Sequence, residues 1–232
     1  MFRRPLLRLL LAACLTGMAA AQAPTAARLR VRTLLHDPLN PYAEFYLAGT
    51  KGGLERMNLS LEGIGVPQDV TLQGGTLRLF SSATVDSANP LANLAASTTV
   101  PAGLKRAIVL IVPAGANAKP PYKLMLLDDS ASAFPWGESR AVNLTALPLA
   151  VAAGEHRIQA KPATVTPIPK VTRVNDLNQA HTRFYQQDGS QWVLLSERPT
   201  QFTDQVRNLF LLFTMPGVPD VQVRTLIDAD AP

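Results

Sequence analysis

Apolar residues recur with period two in short runs along nearly the whole chain, and proline or glycine separates almost every run from the next. Such alternation places one set of side chains on each face of an extended strand, whereas a helix needs a 3.6-residue period held over ten or more positions. Beyond the first two dozen residues no helical pattern of that length occurs. The chain is therefore read as all-β.

The first predicted strand, 29–35, alternates Leu29, Val31 and Thr33 with Arg28, Arg30 and Arg32. Strands follow over 42–48, 57–61, 70–72 and 77–80, with Gly74 and Gly75 as a tight turn between the last two. Residues 81–96, rich in Ser, Ala and Asn, read as a long loop. Strands resume over 97–100 and 107–112, and the unbroken apolar run of the second predicts a central strand covered on both faces. Further strands fall at 122–127, 140–144, 149–151, 156–160 and 164–168, with Gly154 at a turn. The strongest hairpin signal is 182–187 and 191–197 around Asp188, Gly189 and Ser190, and 207–214 and 221–227 close the chain. Eleven or more such strands predict an antiparallel β-sandwich, immunoglobulin-like in general architecture but lacking a Cys, Trp, Cys framework, with an additional C-terminal β-hairpin region. The proline-rich segment 162–170 marks a possible subdivision. The four strands after it make a poor independent core, so 22–232 is read as a single unit.

Arg3 and Arg4, an apolar stretch over 6–15 and the small residues Ala19, Ala20 and Ala21 form a signal peptide over 1–21, which implies a periplasmic or extracellular protein. The stretch is far shorter than the roughly 20 residues of a membrane-spanning helix. Cys14, preceded by Leu11, Ala12 and Ala13, also fits lipoprotein processing, so a lipid tether through Cys14 in the outer membrane stays open as an alternative. Cleavage after Ala21 leaves 211 residues without cysteine, which excludes a disulfide, a thiolate nucleophile and a cysteine-held zinc. Loss of Arg3, Arg4 and Arg8 also lowers the 22 basic residues to 19 against 17 acidic ones. That balance argues against nucleic acid as a partner.

No motif assigns a catalytic, cofactor-binding or metal-binding residue. His36, His156 and His181 are far apart in sequence and read as surface or rim residues, and the HExxH helix of a zinc protease is absent. Asp128 and Asp129 lack the alternating oxygen ligands of a calcium loop and read, with Ser130, as a turn or cap; Asp228 reads as part of a solvated tail. Nothing selects Glu44, Glu62 or Glu197 for sugar hydrolysis, there is no GxSxG elbow, and the glycines of 49–53 read as a turn. Phe134, Trp136, Phe184, Tyr185 and Trp192 are candidates for an aromatic platform. Phe184 and Tyr185 point to opposite faces, so at least one belongs to the core, Trp192 in its apolar run reads as core, and Trp136 is the aromatic expected to be accessible or folded back as a lid. Arg28, Arg30 and Arg32 share a face, read as charge protection of an edge strand or as contact with an anionic surface. Asn58 and Asn143 begin N-x-[ST] triplets, read as chance in a chain of bacterial character.

The segment "FPWGESRAVNLTALPLAVAAGEHRIQAKPATVTPIP", 134–169, with Phe134, Pro135, Gly137, Ser139 and Arg140 leading into Asn143 and a turn at Gly154, resembles a stretch of uncharacterised exported proteins of Verrucomicrobia and related bacteria. "RFYQQDGSQWVLL", 183–195, is similar to their closing hairpin. The resemblance implies a β-sandwich and export, and it carries over no catalytic residue. Two functions remain: a cell-envelope structural or binding module whose partner is an envelope protein or glycan, or a secreted hydrolase with carboxylates drawn from several strands.

Overall fold

The computed structural model describes residues 27–229 except 38, 41, 42, 51, 52, 85 and 87. The leader over 1–21, with Cys14, lies outside the described residues. Among those described there is no helix long and apolar enough to cross a membrane. They form four four-stranded sheets.

The first outer sheet has the order β3-β2-β5-β6, built from β2 (Tyr46–Ala48), β3 (Leu54–Arg56), β5 (Thr76–Phe80) and β6 (Leu94–Thr99). The first inner sheet, β4-β1-β7-β8, uses β1 (Arg28–Leu35), β4 (Gln68–Thr71), β7 (Arg106–Pro113) and β8 (Tyr122–Asp128). The second inner sheet, β12-β9-β15-β16, uses β9 (Ser139–Asn143), β12 (Val165–Ile168), β15 (Val206–Met215) and β16 (Val218–Ala229). The second outer sheet, β11-β10-β13-β14, uses β10 (Leu149–Ala153), β11 (His156–Ala160), β13 (Gln179–Asp188) and β14 (Gln191–Gln201). Advancing every strand number of the first half by eight reproduces the second half. Both halves also share one parallel pair, β1 with β7 and β9 with β15, among otherwise antiparallel ladders. The sheets pack face to face as expected of sandwiches. Their order differs from the 1-2-5-4 and 3-6-7 sheets of a constant-type immunoglobulin domain.

Three apolar clusters show how the sheets stack. Leu29, Val31, Val109 and Ile111 of the first inner sheet meet Leu47, Leu77 and Leu79 of its outer sheet. Phe210 and Leu212 of the second inner sheet meet Val151 and Phe184 of its outer sheet, with the rings of Phe184 and Phe210 edge to face at 5.4 Å. The third cluster joins the inner sheets to each other: Leu34, Ile108, Leu110 and Leu127 face Val142, Leu209, Leu211 and Leu226, with Phe134 at one end. The result is a stack of outer, inner, inner and outer sheets, and the contact between inner sheets is called the joint below. β7 has apolar neighbours on both faces, so it loses the polar alternate positions of a surface strand. Ala107 to Ile111 are accordingly all buried, as the unbroken apolar run in β7 predicts.

Local sequence explains most turns. Gly74 and Gly75 both have positive φ, 59° and 73°, in a two-residue turn closed by mutual hydrogen bonds of Gln73 and Thr76. The strands on either side then diverge, β4 into the inner sheet and β5 into the outer. The Asp188 to Ser190 hairpin forms as read, and its strands extend to Gln179 and Gln201. Gly154 has φ 54°, and a Cβ there would lie 2.4 Å from Val171 Cγ1, so only glycine fits this turn. The strand read over 57–61 does not form: the pairing with β2 falls on Leu54–Arg56 instead, and Met57 to Leu61 carry no strand. The proline-rich segment 162–170 carries β12, which pairs with β9. The passage from the first pair of sheets to the second falls between β8 and β9.

Candidate functional site at the joint

Strand alternation sends Arg32 of β1 out of the first sandwich and toward the second, where it meets Arg207 of β15 and the carboxylates of Asp129 and Asp228. Arg32 Nε and Nη2 donate to the two oxygens of Asp129 at 2.9 and 2.8 Å, and Nη1 and Nη2 donate to those of Asp228 at 2.7 and 2.8 Å. Arg207 donates from Nε to Asp228 at 3.0 Å, from Nη2 to Asp129 at 2.9 Å and from Nη1 to the Phe134 carbonyl at 2.9 Å. The Asp129 side chain is 2% exposed and that of Arg207 4%. Two forks thus meet two carboxylates with no net charge, the arrangement that lets ions stay buried. Burial alone raises the Asp228 pKa, but hydrogen bonds from Arg32 and Arg207 outweigh it and hold the carboxyl below its ordinary value. For Arg32, burial acts to lower the pKa, and bonds to Asp228 and Asp129 reverse the sign.

Aromatic rings close the cluster. Arg207 lies 4.4 Å from the Phe134 ring centre and 4.2 Å from that of Trp136, and Arg140 lies 4.6 Å from Phe134. Stacking a weakly hydrated guanidinium on these faces offsets part of its lost hydration. Trp136 is half-buried and serves as a lid over the arginine.

At another part of the joint, His36 is buried, edge-on to Phe213 at 4.2 Å. It lines a cleft of about 230 Å³ with Asp37, Leu61, Met215 and Arg224. Burial, then the nearby Arg224, lowers the His36 pKa to about 4, while Asp37 acts in the opposite direction. Tyr122 donates its hydroxyl to Asp37 at 2.9 Å.

The structure reassigns several residues read from sequence. β1 lies between β4 and β7, so Arg28, Arg30 and Arg32 do not protect an edge, and Arg32 belongs to the ion cluster. Asp128 does cap the turn, accepting from the Ser130 N–H at 2.8 Å, whereas Asp129 turns inward. Asp228 is 6% exposed rather than part of a solvated tail. His156 contacts the Lys170 carbonyl at 3.0 Å, and His181 contacts Glu197 at 2.6 Å. Among the described residues no group of three or more His, Cys, Asp or Glu is placed to hold a metal. Glu44 contacts Arg56 in the first half, Glu197 contacts Arg183 in the second, and Glu62 is exposed. Phe184 is core and Tyr185 half-buried, on opposite faces as read; Trp192 is half-buried on the projecting hairpin rather than core. Asn143 is fully buried, donating to the Leu147 and Ala160 carbonyls at 2.8 and 2.9 Å.

A signal for the cluster was present in the sequence as a repeat. Arg106-x-Ile-x-Leu-x-Val recurs as Arg207-x-Leu-x-Leu-x-Phe, and Leu127-x-Asp129 recurs as Leu226-x-Asp228. The registers Arg32 beside Ile108 and Arg140 beside Leu209 put those arginines at equivalent positions too.

Away from the joint, edge strands β14 and β16 flank a groove of about 410 Å³ lined by Val193, Leu194, Leu195, Arg198, Val221 and Val223. Val193 and Leu194 are 48% and 50% exposed. In comparisons with known proteins, no family model and no curated protein matched the chain.

Proposed function

We propose that the chain is an exported cell-envelope module, structural or binding in character, which acts in the periplasm or outside the cell and meets an envelope protein or glycan. The leader residues over 1–21 support export. The observation that carries the binding role is the exposed pair Val193 and Leu194 on an edge strand beside the β14–β16 groove. Edge strands present unpaired backbone donors and acceptors, and proteins ordinarily blunt them with charge, proline or bulges. β14 does so over its second part, where a bulge opposite Phe184 and Tyr185 precedes Glu197, Arg198 and Pro199. It leaves the hairpin end apolar. The four-sheet stack then acts as a rigid support that holds this end away from the joint.

The test is a photo-crosslinking residue at position 194 of the processed protein in its native envelope. The expected result is a discrete adduct, lost when Val193→Arg is added. Labelling no stronger than from a control at exposed Leu91 would overturn the binding role.

A further inference from the structure

Every buried ionisable side chain among the described residues, namely His36, Asp37, Asp129, Arg140, Arg207 and Asp228, lies at the joint or its rim. The two sandwich interiors hold apolar side chains and uncharged polar ones such as Ser139, Thr182 and Asn208. Ionisable groups placed at one contact surface make that surface answer to pH, while the layers on either side have no buried group to titrate.

We propose that the joint is an acid-released catch: protonation loosens the contact between the two inner sheets while each sandwich keeps its fold, baring the apolar faces around Leu34, Ile108, Leu110, Leu209 and Leu211. His36 is the first trigger. The groups that face it are Arg224 from β16, the neighbouring carboxylate Asp37, and the uncharged ring of Phe213. A proton on the buried imidazole places a second cation beside Arg224. Asp228, faced by Arg32 and Arg207 and sharing them with Asp129, which lies 3.9 Å from the half-exposed Arg106, is the second trigger. Neutralisation of Asp228 removes a counter-charge shared by the buried Arg32 and Arg207. Asp228 is held below its ordinary value of 3.8, so this stage follows at lower pH.

The sign is the same for both stages. A released His36 regains an ordinary value of 6.5 against about 4 in the closed joint, so the open form takes up the proton preferentially as pH falls between these values. Opening is then favoured by about a hundredfold at pH 4 relative to neutral pH.

The test uses the full processed chain carrying Trp192→Phe, so that Trp136, stacked on Arg207, is the remaining tryptophan. Its fluorescence, the binding of an apolar dye and far-ultraviolet circular dichroism are followed from pH 7.5 to pH 3. The expected result is a change in Trp136 fluorescence and dye binding at a pH where the β-sheet signal is intact, displaced by at least one unit to lower pH in His36→Phe. Arg224→Gln, which relieves the repulsion without altering His36, is expected to displace it in the same direction and serves if His36→Phe does not fold. Loss of the β-sheet signal in the same transition, no release above pH 3, or an unshifted transition in the variants would each overturn the proposal.

Discussion

Where the first and seventh strands of each half run side by side, the first half sets Val31 against Ala107 and the second sets Ser139 against Asn208. All four side chains point into their own sandwich and are buried. In the first half the inward-facing Thr33 finds the Asn58 carbonyl as its acceptor. In the second, Ser139 Oγ, Thr182 Oγ1, Thr200 Oγ1 and Asn208 Oδ1 have no hydrogen-bond partner among the described residues. Strand order and the position of the core are therefore set by apolar alternation, and they tolerate a change of interior polarity that costs roughly 1 to 3 kcal/mol per unsatisfied group. The halves also end differently: β6 packs against β8 at the edge of the first, while β14 and β16 stand apart around a groove in the second.

The largest test of this contrast uses the equivalent arginines Arg106 and Arg207. Arg207→Ala strips the buried carboxylates of one partner and should lower the unfolding free energy by about 3 to 5 kcal/mol. Arg106→Ala, at a half-exposed site, should cost less than about 1 kcal/mol. Equal losses in urea titrations would mean that the two halves share the cluster evenly. Next in size is pH. The folded His36 pKa is lowered to about 4 from 6.5, so its contribution is intact above pH 6.5 and is lost as pH falls toward 4. The loss should amount to about 3 kcal/mol and be missing from His36→Phe in stability curves taken across that window. The smallest effects concern the interiors. Val31→Ser should cost about 2 kcal/mol by orphaning a hydroxyl, whereas Ser139→Ala, which removes an already orphaned one, should raise stability by about 1 kcal/mol. A large loss in Ser139→Ala would show that the second interior depends on its polar atoms.

Much of the strand pattern was legible from residues alone. The apolar run of β7 announced a strand covered on both faces, and the Asp188 to Ser190 hairpin followed from turn chemistry. The cluster was not, because an aspartate beside an apolar strand looks the same in sequence whether it faces water or an arginine from another sheet. Asp129 differs from its neighbour Asp128 only in the face on which alternation puts it. Arg32 could be placed only once β1 was known to lie between β4 and β7 rather than at an edge. The duplicated Arg and Leu-x-Asp pattern was open to a search for internal repeats, since it pairs β7 and β8 with β15 and β16.

The parallel pairing of first and seventh strands also bears on how the chain acquires its shape in time. Arg30 waits for Arg106, and Ser139 waits for Asn208, so the central pairing in each half is delayed until most of that half has been synthesised. Pairings so distant along the chain slow folding, and apolar strands such as β7 stay open to wrong partners meanwhile. The first half has all its strands before the second has begun. A chain delivered from its N-terminus can therefore complete one sandwich at a time, with the contact between them forming last.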